Sequence, residues 1–249
     1  LAWPFTSLTP EGHRLAAIMG LVIVFWITEA LPLPVTALLG PALAVVLQVA
    51  PVGDIFRPFA SPTIFLFVGS FILAQALFVH RVNERVAFGV LSLRIIGGRP
   101  SRILIAYGLL AAFLSAWMSN TATAAMLVPI GLTLVRFMEA EADIPRKYGT
   151  ALMLMTTYCC SRGGMATPVG TPPNLIAIGM IDAQLGVQIG FVNWMLVSVP
   201  IMLVLMTIVF FYLSWVGRTG VPQIPGIGQI IAERKRALGP WRRGEINAV

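Results

Sequence analysis

Charge is scarce in this chain. Of 249 residues only 11% are Asp, Glu, Lys or Arg, while 57% are hydrophobic and the mean hydropathy is +0.86. A soluble domain carries about 25% charged residues, so a soluble fold is excluded and a membrane protein is expected. Cysteine is scarcer still: the two present, Cys159 and Cys160, are adjacent, which excludes a disulfide scaffold. Lys and Arg are missing altogether between Arg162 and Arg218. The net charge of +7 comes from basic residues lying between apolar runs. They form no single basic face, so they read as topology signals and no nucleic-acid partner is expected.

What is present is a series of uncharged runs near the length of a membrane span, about 20 residues. These are Leu15 to Thr28, Leu33 to Ala50, Ile64 to Val79, Ile103 to Met118, Ala122 to Val135, Ala151 to Cys160 and Phe191 to Val216. In the last, Trp194 and Trp215 stand 21 residues apart, close to one hydrocarbon thickness between aromatic belts. The crowded basic tail from Arg218 to Arg243 is assigned to the cytoplasm by the positive-inside rule, with Arg81 to Arg102 and Arg136 to Lys147 on the same side. Asp182 to Asn193 is then outside, as is residue 1. Val82 to Ile96 mixes apolar positions with Arg85 and Arg94 and is expected to lie along the cytoplasmic interface. A start at Leu1 and a tail ending soon after Arg242 and Arg243 lead us to expect a fragment trimmed at both ends.

Two places interrupt the apolar text. Ser119, Asn120 and Thr121 separate two apolar arms that each begin or end at cytoplasmic arginines. Such a hairpin either crosses fully or re-enters, since the charges give both the same parity; in the plainer reading the three residues merely cap a helix. The second break, Gly163 to Asn174, interrupts an otherwise outward helix from Thr150 to Ile181 with glycines and prolines that do not sustain it. Thr171 is a candidate N-cap and Pro173 an early helical position; the plainer reading here is a proline kink. Non-helical backbone at membrane depth persists only where protein buries it or a cavity receives it. A tip paired with a broken helix is what secondary transporters use near the midplane, with half-helix N-termini facing an anion and unwound carbonyls holding a cation. Neither break contains Asp, Glu or His, so a proton relay, a zinc site and hydrolase chemistry lack their residues and no enzyme is expected. Neutral oxygens suit a hard ion such as sodium.

Ser119-Asn120-Thr121, followed by Ala-Thr-Ala-Ala-Met-Leu-Val-Pro-Ile, resembles the signature of the divalent anion:sodium symporter family. Gly170-Thr171-Pro172-Pro173-Asn174 is similar to that family's second site loop, and Trp26 to Leu39 resembles its early scaffold helices. The resemblance implies two inverted repeats, this chain being the first: scaffold helices and an interfacial arm over residues 1–98, a transport part over 99–217 with a re-entrant helical hairpin, a broken transmembrane helix and the last span, and a basic cytoplasmic tail over 218–249 leading to a second half. It further implies a homodimer in a bacterial inner membrane, alternating access, and co-transport of sodium with a di- or tricarboxylate or sulfate.

Carried over residue by residue, the resemblance puts sodium among the backbone carbonyls of Ser115, Ser119 and Gly170 and the side chain of Asn120. Substrate carboxylates meet Ser119, Asn120, Thr121 and Thr171, with Pro172 shaping the wall. Arg162 departs from the family's apolar residue there; it is a candidate selectivity residue, or else it snorkels or pairs with the missing half. Two rivals stay open: an antiporter or exporter of the same superfamily style, and a non-transporting membrane subunit whose breaks only pack.

Overall fold

The computed structural model describes residues 8–141 and 144–248; the expected placement of residue 1 lies outside them. All regular structure among the described residues is helical, in two compact units that divide at Phe65 and Leu66.

In the first unit, α1 (Pro10–Thr28) begins where the Thr9 hydroxyl accepts from Gly12 N at 3.2 Å, and it ends at Glu29 in the left-handed region. After Pro32 the chain turns into α2 (Leu33–Val46), which packs antiparallel on α1. Arg14 donates to Leu47 O at 2.9 Å at one end, while Gly40 admits Val22 near the middle of the pair. The apolar stretch to Ala50 thus divides into a helix and a turn. Short α3 (Val52–Phe56) and a 3-10 turn (Arg57–Ala60) follow.

The second unit takes in most of α4 (Pro62–Val79), then α5 (Val82–Leu91), α6 (Pro100–Ser115), α7 (Asn120–Glu141), α8 (Arg146–Gly163), α9 (Pro172–Leu185), α10 (Phe191–Val216), α11 (Ile227–Ala237) and α12 (Arg243–Ala248). Its core is centred on α6, α7, α8 and α10. α6 and α7 form an antiparallel hairpin: the Tyr107 hydroxyl donates to Leu127 O midway along it, and Ser115 Oγ and the Asn120 side-chain amide lie in hydrogen-bond contact near its tip. α8 lies parallel to α6. The Tyr148 hydroxyl donates to Pro100 O at 2.7 Å at one end, and Ser115 Oγ donates to Cys160 O at 2.8 Å at the other. Gly163 allows this closeness, since a Cβ there would run into the backbone of Ala112.

α10 returns antiparallel to α8, with Gly217 beside Tyr148 and Ala151 and Ser198 beside Ala166. By length and composition Pro10–Thr28, Asn120–Ala140 and Phe191–Val216 are each sufficient to cross a membrane. α6, at 16 residues or about 24 Å of rise, is shorter than a hydrocarbon core of about 30 Å. Large apolar side chains face outward along these helices, Ile27 at 77% and Leu196 at 68% exposure among them, as lipid contact requires.

The basic tail holds more structure than a charged run implies. α5 buries Val82, Ala87, Phe88 and Leu91, and α11 packs along it through Ile227 and Ile231. Arg85 fastens the pair by donating to Leu238 O, Gly239 O and Pro240 O at 3.0, 2.8 and 2.8 Å and by pairing with Glu245 at 2.9 Å. α5 is therefore packed on protein along its apolar face, and it stops at Leu91, short of the expected Ile96.

Candidate functional site

Four helix ends meet at one place. α6 ends at Ser115, the tip Ala116–Ser119 turns the chain, and α7 starts at Asn120; α8 ends at Gly163, and after the non-helical stretch 164–171 α9 starts at Pro172. The tip touches the break directly. The Thr167 hydroxyl donates to Ala116 O and accepts from Gly170 N at 3.1 Å. A Cβ at Gly170 would lie 3.0 Å from Ala116 O and 2.6 Å from Gly164 O, and one at Gly164 would collide with Asn120 Oδ1. Glycine at both positions is what lets the two interruptions close on each other.

Ser115, Ser119, Asn120 and Gly170 are thus brought together, with Thr171 and Pro172 next in the chain. Ser115 is fully buried, its hydroxyl held between Asn120 Oδ1 at 2.6 Å and Cys160 O. Ser119 accepts from Ala122 N at 3.2 Å, so it does cap α7, as the plainer reading of the tip required. Thr171 is the N-cap of α9 but makes no side-chain capping bond, which leaves its hydroxyl for other work; Thr121 and Pro172 are exposed. Among the described residues no donor outside the helices' own ladders reaches the carbonyl oxygens of Ser115 or Gly170.

Arg162 does not join this group. Its Nη1 donates to Tyr158 O at 3.3 Å and its guanidinium lies 4.9 Å over the Tyr158 ring, one turn back along α8.

Several residues that hold the site had no role in the sequence reading. Asn174 donates to Gly164 O at 2.7 Å and Thr167 O at 2.8 Å, Trp194 to Met165 O at 3.0 Å, and Ser198 to Ala166 O at 2.9 Å. Trp194, expected as an outer belt residue, has its indole N–H committed to the break. That contact sets the break level with the first two turns of α10, nearer one end of that helix than its middle. Thr123, one turn past the tip, is fully buried with its hydroxyl unpartnered. Asn174 and Thr123 both stand inside the quoted motifs, so a signal existed; Trp194 and Ser198 carried none.

Chemically, the junction offers both polarities without a formal charge. The carbonyl ends of α6 and α8 favour a hard cation, and the N-terminal ends of α7 and α9 favour an anion. A family model described as the sodium:sulfate symporter transmembrane region matches residues 3–248. The chain belongs to this family. It is a family of membrane transporters rather than enzymes, and with the long apolar helices it makes the chain an integral membrane protein.

Among relatives, the sodium-dependent dicarboxylate transporter SdcS of Staphylococcus aureus (strain bovine RF122 / ET3-1) is 34% identical over 248 residues, covering 94% of this chain and 46% of the relative. SdcS of Staphylococcus saprophyticus is 31% identical over 252 residues (96% and 47%), and SdcS of Staphylococcus aureus strain USA300 is 33% identical over 248 (94% and 46%). The chain spans about half the length of the curated relatives it matches.

Proposed function

We propose that this chain is the first inverted repeat of a sodium-coupled symporter for small divalent anions, working by alternating access. The observation that carries the reading is the meeting of the Ser119–Asn120 tip with the Gly164–Gly170 break, where the Ser115 and Gly170 carbonyls receive no donor outside the helix ladders and two helix N-termini share the junction. Sodium is held by the carbonyls of Ser115, Ser119 and Gly170 and by Asn120 Oδ1. The anion is held by Ser119, Asn120, Thr121 and Thr171, against Pro172. A cation beside two N-terminal dipoles makes a dianion welcome where no arginine serves it. Coupling follows because Asn120 belongs to both sets: without sodium the tip loses the partner that orders it, and the anion site is incomplete. The relatives' names favour a dicarboxylate as the first substrate to assay.

In the same reading the hairpin is re-entrant, residues 1–98 form scaffold and arm, residues 99–217 form the transport part, and the basic tail 218–249 is cytoplasmic in a bacterial inner membrane. A second repeat completes the site and the protein dimerises. The stacking of Arg162 on Tyr158 supports a position outside carboxylate contact, so Arg162→Lys leaves affinity and selectivity unchanged.

Uptake of a radiolabelled dicarboxylate by the full-length protein in proteoliposomes tests the proposal. Asn120→Ala reduces sodium-dependent uptake to background; normal coupling in that variant would remove the assignment. A non-transporting subunit predicts no thermal shift with sodium plus dicarboxylate, whereas a symporter predicts stabilisation that needs both.

A further inference from the structure

Two cavities of the second unit share Gln75 and Phe78 on α4. The smaller, about 200 Å³, is bounded by those residues together with Met118 and Ser119, so it opens at the hairpin tip. The larger, about 760 Å³, runs from them between α5, α7 and α11 to Arg81 and Arg234. At a water's share of about 30 Å³, even the smaller space has room for about six waters.

Three features mark this as a wet passage of positive sign. Gln75 places an amide in the last turns of an otherwise apolar helix, and setting an amide against hydrocarbon costs about 2 kcal/mol or more unless water or protein receives it. Asn83, on the wall of the larger cavity, is 3% exposed, and its Oδ1 has no protein donor; Nδ2 makes only a 3.7 Å contact with Met118 Sδ. A buried amide oxygen of this kind needs water, and the adjoining space is polar and roomy enough to supply it. At the far mouth, Arg81 is neutralised by Glu84 at 2.8 Å, whereas Arg234 has no carboxylate partner among the described residues. Its charge is the net charge of that opening.

We propose that these joined cavities are the route by which the anion passes between Ser119 and the face that carries Arg81 and Arg234, with Gln75 as the polar station shared by both and Arg234 as the charge that draws the anion in. This rests on the anion-transport reading and adds to it the surface that leads away from the tip.

Site-directed thiol labelling tests it in the full-length protein, reconstituted, with Cys159 and Cys160 replaced by alanine. Single cysteines at Gln75→Cys and Thr133→Cys are compared with Ile72→Cys, which is 65% exposed on the same helix as Gln75 and lines neither cavity. The probes are an anionic and a cationic methanethiosulfonate of similar size. Gln75→Cys and Thr133→Cys react at least ~10-fold faster than Ile72→Cys, and the anionic probe is favoured. Adding Arg234→Gln lowers the anionic rate at Gln75→Cys about 3- to 10-fold without lowering the cationic rate, and the preference fades with salt. A Gln75→Cys rate no faster than that of Ile72→Cys, or an unchanged probe preference in Arg234→Gln, overturns the route. Labelling needs no turnover, so a failure of the route and a failure of sodium-dependent uptake are read separately.

Discussion

The tip Ala116–Ser119 and the break 164–171 face each other across a few ångströms, but their polar groups are satisfied in opposite ways. In the break, backbone carbonyls receive side chains from elsewhere: Asn174 on α9 serves two of them, Trp194 and Ser198 on α10 one each. In the tip, the side chains themselves face the junction: Ser119 accepts from Ala122 N three residues on, Ser115 at the end of α6 reaches Asn120 and Cys160 O, and only Ala116 O receives a side chain from elsewhere, that of Thr167. The break is thus a frame fixed by three side chains from two helices, and the tip is a set of adjustable groups presented to it. A ligand that orders the tip meets a surface already in place.

Substitutions separate frame from presented groups. The largest effect is expected for Gly163→Ala, whose Cβ meets backbone that does not yield: a loss of about 3 kcal/mol or outright failure to fold, seen in thermal unfolding in detergent. Gly164→Ala sharpens the contrast, because the nearest atoms its Cβ meets belong to the Asn120 side chain and not to backbone. It keeps melting within about 1 kcal/mol of the parent while sodium-dependent uptake falls at least ~10-fold. If both variants behave alike, frame and tip are not distinct. Asn174→Ala removes two bonds and leaves the buried Gly164 carbonyl unserved, while Thr167 O keeps the Gly170 N–H at 3.3 Å, a loss of about 2 kcal/mol. Trp194→Phe removes one, about 1 kcal/mol, with uptake retained.

The smallest effect serves as a control that touches neither interruption. Arg85 beside Glu245 holds that carboxyl below its usual range, as does the Arg242 N–H at 2.7 Å. A lowered folded value means the clasp's contribution is fully present above the ordinary carboxylate range of about 4.3 and is lost as pH falls through the folded value. Trp241 lies 5.0 Å from the Arg85 guanidinium, so its fluorescence reports release of the tail in acid. Glu245→Gln abolishes that transition and leaves uptake unchanged.

Much of this frame was legible because apolar run length is a local signal. Phe191 to Val216 is the span of α10 to the residue, and the glycines and prolines of 163–174 mark the break where it occurs. The helix α8 runs past the uncharged stretch ending at Cys160, through Arg162 to Gly163, where the break was expected, because a charge that folds back on Tyr158 does not stop a helix. α11 was not foreseen: its few isoleucines amid Glu233, Arg234, Lys235 and Arg236 make a core only against distant parts of the chain, chiefly α5, some 140 residues earlier. The tip residues were named from their motif, whereas Trp194 and Ser198 act through carbonyls whose position depends on the path of the whole loop.

The stapling of the break by α10 also orders events during synthesis. The peptide oxygens of Gly164 to Thr167 leave the ribosome about 30 residues ahead of Trp194 and Ser198, an interval of about 2–6 s at ~5–20 residues per second. Until then two of those oxygens have no protein donor to serve them. A nascent chain stalled in that window would expose unshielded peptide groups to the insertion machinery, so this junction is completed only when the last long helix arrives.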